Sequence, residues 1–498
     1  MNKQVKLGAI VAYSSIIISL IIGIIYTPFM LSKMGQSEYG IYNLALTIVT
    51  YLNILDTGFA VAVVRYISFY KAKDDALKQR QVISTSLVLY ILLGLICLVI
   101  GGLFVINIDS IYSSSLTPIE LKKLRLVVII LVCYLSIQFP ASVFSSIIMA
   151  NERFVFFKVI KLVSAIFTPV IMTPLLIMGY KSVSMVVVSV ILGLLSSVSY
   201  MLYCYRVLKI KIFTSEINKN ILFLLIKYSI PIFIIMGCDC ICRSFGSFYI
   251  GTLYGTISVT ILTLSIQIRG YSESIVKAIT SFFLPIFTSL VASDTNSEIV
   301  NKKFIAVTRF QLHIALCILL GFIVFGKEFL EYWTNDLNVK EIYITALIIL
   351  VPLTFSMSES TGEELVKAAG KQKIQMYIYV LRALIVLITT ILMARKYNYY
   401  ACALGIGLSI LICDILLMNI VYSKVLNIKL GLFLKSILSP VLIVLASAFI
   451  ILYVDHFCTL PFLYKVLLFC FTYVVPYLCW GLSTDERCFI LNQISKHR

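Results

Sequence analysis

Five charged residues stand inside two consecutive apolar stretches of this chain. Asp239 and Arg243 lie in IKYSIPIFIIMGCDCICRSFGSFYI, and Arg269, Glu273 and Lys277 lie in TISVTILTLSIQIRGYSESIVKAITSFFLPIFTSL. Within each set the residues are four apart, which stacks them on one face of an α-helix. A charge at bilayer depth is costly, so such residues face a wet cavity and one another. The chemistry they offer is binding rather than bond making: two helices lining a polar, mostly cationic cavity. Arg269 and Lys277 flank one anion, leaving that face net positive. Glu273 either holds Arg269 in place or takes up a coupling proton, and the sequence leaves both open.

Other charges fall in apolar segments too. Asp56 precedes Gly58, which permits a kink or a close helix approach. Arg65 lies near the end of the same segment and either lines the cavity or snorkels to the interface. Arg382 and Asp414, on successive segments, are candidate partners. Glu359, Glu363 and Lys367 share one face at a segment end, with Glu363 and Lys367 spaced as an ion pair; they read as a cytoplasmic gate or as a solvated helix end. His313 is lone in its segment and reads as a packing residue. Cys238, Cys240 and Cys242 flank Asp239, but helical geometry points them in different directions, against a metal site. The remaining cysteines read as small buried hydrophobes. No cofactor is expected beyond a coupling H+ or Na+.

The elements that must position these residues are membrane spans. Of 498 residues 60% are hydrophobic and 13% charged, with a mean hydropathy of +1.02. This composition is that of an all-α polytopic membrane protein, not a soluble domain. The net charge of +18 reads as basic cytoplasmic loops against anionic lipid, not as nucleic-acid binding. Fourteen apolar segments reach the length of about 20 residues that a span needs: near 7–31, 40–66, 82–107, 124–149, 158–179, 183–206, 222–249, 256–291, 304–326, 341–366, 374–394, 400–423, 435–455 and 461–482. The eighth is too long for one straight crossing and must tilt, kink near Pro285 or protrude. Lys and Arg concentrate in alternate loops, among them Lys71/Lys73/Lys78/Arg80 and Arg206/Lys209/Lys211, which puts both termini in the cytoplasm. The first segment reads as an uncleaved span. No G-x-x-x-x-G-K-[ST] motif and no large loop occurs, so energy is expected from an ion gradient, the membrane potential or the substrate gradient.

An internal repeat relates LALTIVTYLNILDTGFAVAVVRY (Leu44–Tyr66) to ILTLSIQIRGYSESIVKAITSFF (Ile261–Phe283). Both open L-x-L-[TS]-I, carry a central Tyr and come second in their half. The expected organisation is a six-helix lobe over 1–212, a second over 213–430, and two further helices with a short tail over 431–498, in the parallel-repeat layout with a substrate site between the lobes.

The stretch Tyr26–Asp75 carries Pro28-Phe29, Gly35…Glu38-Tyr39-Gly40, Leu55-Asp56-x-Gly58 and Val64-Arg65-Tyr66. These resemble the N-terminal pattern of polysaccharide transporters of the MOP flippase superfamily, specifically the Wzx-type flippases for O-antigen or capsule repeat units. Phe283-Leu284-Pro285, Gly326-x-Glu328-Phe329…Trp333 and Ala369-Gly370-Lys371 fit the same likeness. The resemblance implies a V-shaped pair of lobes with a central cavity lined largely by spans 1, 2, 7 and 8. It implies transfer of an undecaprenyl-pyrophosphate-linked oligosaccharide from the inner to the outer leaflet of the bacterial cytoplasmic membrane. Arg would suit the pyrophosphate through bidentate geometry. Membrane lipids, a glycan polymerase and a chain-length regulator are the expected partners of a monomer.

A lipid II or teichoic-acid precursor flippase would share the anionic lipid head. A drug or cation antiporter of the same superfamily would share the helix count, but the first segment has no charge and the embedded cations disfavour a cationic drug. An oligosaccharide polymerase would be expected to carry a long outer loop, and the stretch near Gly326–Glu341 is too short for one.

Overall fold

The computed structural model describes residues 3–210, 217–292, 297–368, 371–426, 428, 430–457, 462–474 and 476. Among them every regular element is a helix. Helices α1 (Lys3–Met34), α2 (Gln36–Ala72), α3 (Ala76–Tyr112), α4 (Pro118–Ala150), α5 (Phe154–Ile177) and α6 (Ser182–Arg206) form an up-and-down series. The long α7 (Lys219–Ala292), α8 (Ser297–Thr334), α9 (Val339–Ser358), α10 (Ser360–Ala368) and α11 (Gln372–Tyr397) follow. Then α12 (Tyr399–Ser409) runs through a π-helical stretch, Ile410–Leu417, into α13 (Met418–Leu426). The chain continues with α14 (Leu430–Phe457) and α15 (Phe462–Phe469), the latter ending in a second π-helical stretch.

Among the described residues eleven helices are long and apolar enough to cross a membrane. One of them, α7, contains two of the expected spans, separated at Gly255. Shorter apolar helices over Val441–Asp455 and Tyr464–Tyr473 fall in the last two expected segments; the fourteenth, 461–482, lies partly outside the described residues. The chain is a multi-pass membrane protein.

Local sequence explains the helix boundaries. Pro118 opens α4 behind Thr117, whose hydroxyl accepts from the Glu120 N–H at 3.3 Å while Glu120 accepts from the Thr117 N–H at 2.9 Å, a reciprocal cap. Asp75 caps α3 by accepting from the Lys78 N–H at 3.0 Å, and this bond holds its carboxyl below the usual carboxylate range. Gly35 (φ 82°, ψ 163°) precedes α2, and Gly255 (φ 77°, ψ −166°) precedes the second limb of α7. Both occupy a region open essentially only to glycine. Beyond Gly255 the backbone stays helical through Pro285 to Ala292; Gly255 itself separates the seventh expected segment from the eighth. Helix α2 runs unbroken through Gly58, where a Cβ would meet Phe233 at 3.6 Å, the close helix approach that a glycine permits.

By contact the chain forms two compact units. The first comprises residues 1–263, 333–335 and 390–402; the second comprises 264–332, 336–389 and 403–498. In the first, α2, α3 and α4 share an apolar core that includes Leu44, Ile48, Leu93, Val127, Leu131 and Phe139. Helix α3 turns Leu92, Leu95, Ile96, Val99 and Ile100 outward at helical spacing, a lipid-facing stripe. One end of this unit is tied by polar groups. Buried Glu38 pairs with Lys123 and accepts from the Ser182 hydroxyl at 2.6 Å. Glu120 accepts from Thr256 at 2.9 Å, and Thr260 donates to the Gln36 carbonyl at 2.9 Å. Gly40 packs directly on the Thr256 carbonyl. The Gly35…Glu38-Tyr39-Gly40 motif therefore fastens helix ends together.

In the second unit Phe304, Val366, Cys413 and Tyr422 join α8, α10, the π stretch and α13. Leu312, Leu316 and Leu320 of α8 meet Val444 and Tyr473. With lipid on the outside, such packing rests on dispersion and hydrogen bonding more than on water exclusion.

Candidate functional site

The second limb of α7 carries Arg269, Glu273 and Lys277 one turn apart, and helix geometry alone makes them meet. The Arg269 Nε donates to Glu273 Oε1 at 2.8 Å and the Lys277 Nζ to Glu273 Oε2 at 3.2 Å. The two cations differ in setting. Arg269 is 1% exposed, whereas the Lys277 side chain is 61% exposed. Across the same unit Arg382 of α11 and Asp414 of the π stretch form a buried pair at 3.3 Å. Ser356 of α9 donates to Asp414 at 3.3 Å. Arg269 and Glu273 are within electrostatic reach of Asp414. The result is a buried network of alternating sign, Arg382, Asp414, Arg269 and Glu273, with the Lys277 ammonium at its open end. Pairing offsets the desolvation cost that any one of these charges would carry alone. One Arg269 Nη group has no hydrogen-bond partner among the described residues.

The expected face of Glu359, Glu363 and Lys367 is not one continuous helix. The chain breaks at Glu359 (φ −93°, ψ 2°), between α9 and α10. Glu359 is buried rather than at a solvated end: it accepts from the Asn419 amide at 2.8 Å, and its carbonyl accepts from the Tyr422 hydroxyl at 3.2 Å. The local cluster Ser358-Glu359-Ser360-Thr361-Gly362 offers side chains that compete with helical bonding. Glu363 is half-buried, and the Lys367 side chain lies outside the described residues. His313 is buried, and its carbonyl accepts from Tyr473 at 2.8 Å.

In the first unit Arg243 donates to Asp239 at 2.9 Å, both side chains about one-third exposed. Arg65 is exposed and lies over the Tyr228 ring at 4.4 Å, a cation–π contact. Asp56 accepts from Ser142 at 3.1 Å, and its backbone carbonyl accepts from Tyr90 at 3.3 Å. Asp56 is within electrostatic reach of Lys161. The structure thus brings together five of the sequence-derived candidates in the second unit and pairs two in the first. Asp56 and Arg65 stand apart from each other with partners of their own. Tyr228, Ser142, Ser356 and Asn419, which hold these charges, carried no distinguishing sequence signal. Among the described residues no group of three or more His, Cys, Asp or Glu could hold a metal; Cys240 and Cys242 are buried and Cys238 is half-buried.

This arrangement offers exchangeable cationic contacts at the exposed ends of buried ion pairs, which suits capture and release of an anionic group.

The profile of the family described as polysaccharide biosynthesis protein matches residues 5–291. The lipid II flippase MurJ in an inward closed conformation superposes with a TM-score of 0.74 at 16% identity, over 95% of this chain and 99% of that one. An inward-facing multidrug resistance MATE transporter of the MOP superfamily gives 0.68 at 12% identity, over 85% and 96%. A MOP-superfamily transporter from Pyrococcus furiosus, described as having a binding pocket of reverse polarity, gives 0.61 at 14%, over 86% and 99%. No curated protein matches by sequence. At these identities the structural likeness establishes the fold.

Proposed function

Because this chain belongs to the polysaccharide biosynthesis protein family and has the fold of MOP-superfamily transporters, we propose that it is a flippase for undecaprenyl-pyrophosphate-linked oligosaccharide repeat units. The unit would be that of an O-antigen or a capsular polysaccharide. It passes from the cytoplasmic to the outer leaflet of the bacterial inner membrane by alternating access through a cationic cavity. Both termini are cytoplasmic in this reading. A glycan polymerase and a chain-length regulator act on the product, and the chain works as a monomer.

The observation that carries the proposal is the surplus of cations in the row Arg269, Glu273, Lys277, with its outermost ammonium exposed. Lys277 is exposed and Glu273 keeps Arg269 as a partner when Lys277 leaves, so Lys277 can exchange Glu273 for a pyrophosphate oxygen without stranding a buried carboxylate. Removing a partner from a buried pair costs about 3–5 kcal/mol, so Arg269 stays with its carboxylates until one of them is neutralised. Proton or sodium uptake at Glu273 or Asp414 would do that, which makes these two the coupling candidates. Exposed Arg65 and the part-exposed, Asp239-paired Arg243 are the candidates of the first unit for the same cargo; Glu359 and Glu363, beside the break between α9 and α10, are gating candidates.

A deletion strain tests the reading. Loss of surface glycan together with complete lipid-linked units facing the cytoplasm supports a flippase. Complete single units on the outer face without chains would transfer the role to polymerisation. Lipid II is the second reading for the cargo, favoured by the likeness to a lipid II flippase; cell-wall synthesis that stops while surface glycan persists would select it.

A further inference from the structure

Helices α1, α4, α5 and α6 of the first unit line an open cavity of about 450 Å³ that the charge pairs above do not use. Its wall carries Lys158 and Lys161 of α5, Tyr134 and Gln138 of α4, Ser196 and Tyr200 of α6, and serines of α1. Neither lysine forms an ion pair among the described residues. Lys161 rests its ammonium 4.8 Å from the Phe157 ring centroid, which leaves its N–H donors uncommitted. Asp56 lies behind the wall within electrostatic reach of Lys161 and already accepts from Ser142 at 3.1 Å. The lining itself carries two lysines and no carboxylate, so the cavity is net positive.

The polar lining is biased toward donors. Gln138 uses its carbonyl oxygen to accept from Ser197 at 2.7 Å, so its NH2 end is the one left to the cavity. The Ser196 and Tyr134 hydroxyls add further donors. Lys158 and Lys161 follow Phe154, the first residue of α5, by about 6 and 10 Å along the helix axis. Both therefore lie within the first two turns of the helix, near one end of a candidate span. The same end of the unit carries Lys71, Lys73, Lys78 and Arg153, a basic surface that concentrates anionic lipid.

We infer that this cavity is a binding site for the phosphate of an anionic lipid, gripped by Lys158 and Lys161, with the hydroxyl-bearing part of the headgroup against Gln138, Ser196 and Tyr134. Phosphate bound here has two sources, a membrane phospholipid or an isoprenoid phosphate. The inference stands on the cavity alone and holds whether or not the chain is a flippase.

Native mass spectrometry of the purified full chain tests it, with phosphatidylglycerol, undecaprenyl phosphate and, as the phosphate-free comparator, diacylglycerol. The double variant Lys158→Gln/Lys161→Gln is expected to lose at least tenfold in retention of a phosphate-bearing lipid, and the Lys158→Arg/Lys161→Arg variant to keep it. Ser196→Phe, which fills the cavity and leaves both lysines, is expected to lose the same lipid and covers the case in which the double variant fails to fold. Retention of phosphatidylglycerol assigns the site to membrane phospholipid; retention of undecaprenyl phosphate alone assigns it to the isoprenoid class. Equal retention by wild type and the Gln variant, retention unchanged in Ser196→Phe, or diacylglycerol held as well as the phosphate lipids would overturn the inference.

Discussion

The Trp333 indole donates to the Ile24 carbonyl at 2.9 Å, and that carbonyl is the one Pro28 leaves without its helical partner. Proline has no N–H to return to the residue four back, so α1 carries an orphan acceptor there. Trp333 is 1% exposed and meets it within the first unit, and Asn335 donates to the Pro28 carbonyl at 3.2 Å. Trp333→Phe should cost about 0.5–1.5 kcal/mol, one hydrogen bond, and Trp333→Ala about 3–5 kcal/mol. Thermal unfolding in detergent reads the difference. Equal melting of Trp333→Phe and wild type would show that the bond contributes nothing.

The Arg382–Asp414 pair predicts non-additivity. Asp414→Leu strands a buried guanidinium and should destabilise by about 3–5 kcal/mol. Arg382→Met together with Asp414→Leu should recover much of that loss. A double-mutant cycle on melting temperature checks it, and additive losses would mean that the two charges do not sense each other.

Lys277 and Arg269 should separate in phenotype. Lys277→Ala removes an exposed cation, so melting should shift by less than about 0.5 kcal/mol while surface glycan falls. Arg269→Ala should abolish glycan and also lower stability, because two carboxylates lose a partner. Arg269→Lys should keep part of the activity if charge alone matters. Quantified surface glycan against protein level distinguishes these, and normal display from Lys277→Ala would remove it from the cargo path.

Glu273→Gln keeps the shape of the carboxylate and deletes its charge. With a proton as the coupling ion, transport by this variant should no longer respond to an imposed pH gradient in vesicles. A response equal to wild type would move coupling to Asp414 or Glu359.

Gly35→Ala and Gly255→Ala should each cost about 1–3 kcal/mol, since both backbones lie where only glycine is comfortable. Gly255 carries a second penalty: a Cβ there would sit 2.6 Å from the Ser115 carbonyl. Melting of the two variants against an ordinary helical substitution such as Gly270→Ala, which has open space around it, checks the claim.

The spans and the i,i+4 pairs were legible in the sequence because helix periodicity fixes them without tertiary information. Asp239 with Arg243, and Arg269 with Glu273 and Lys277, are contacts of that kind. The pairing of Arg382 with Asp414 was legible only as one option, since it needs two helices to meet. The helix break at Glu359, and with it the burial that rules out a solvated end there, was hidden because the Ser, Thr and Gly around it were taken as part of an apolar run. The depth of burial of Arg269 could not be read, for periodicity gives a face but not what covers it. The internal repeat read from the sequence and the matching glycines before α2 and the second limb of α7 give different registers. Matching Gly35 to Gly255 aligns Tyr51 with Tyr271 but leaves the two L-x-L-[TS]-I starts two residues out of step. Nothing in ILICDILL announces π geometry.

That π-helical stretch, Ile410–Leu417, holds Asp414. A π turn accommodates a surplus residue relative to the α-helix around it, so it is a dislocation in the helical lattice. Such a defect can glide along the helix by passing hydrogen bonds from one carbonyl to the next, with no net bond lost. Each step turns the residues it passes by roughly 100° about the axis, the angle one residue subtends. Asp414 therefore sits on a ratchet: one glide step would carry its carboxylate away from Arg382, and deleting a single residue from the stretch would lock the helix in one register.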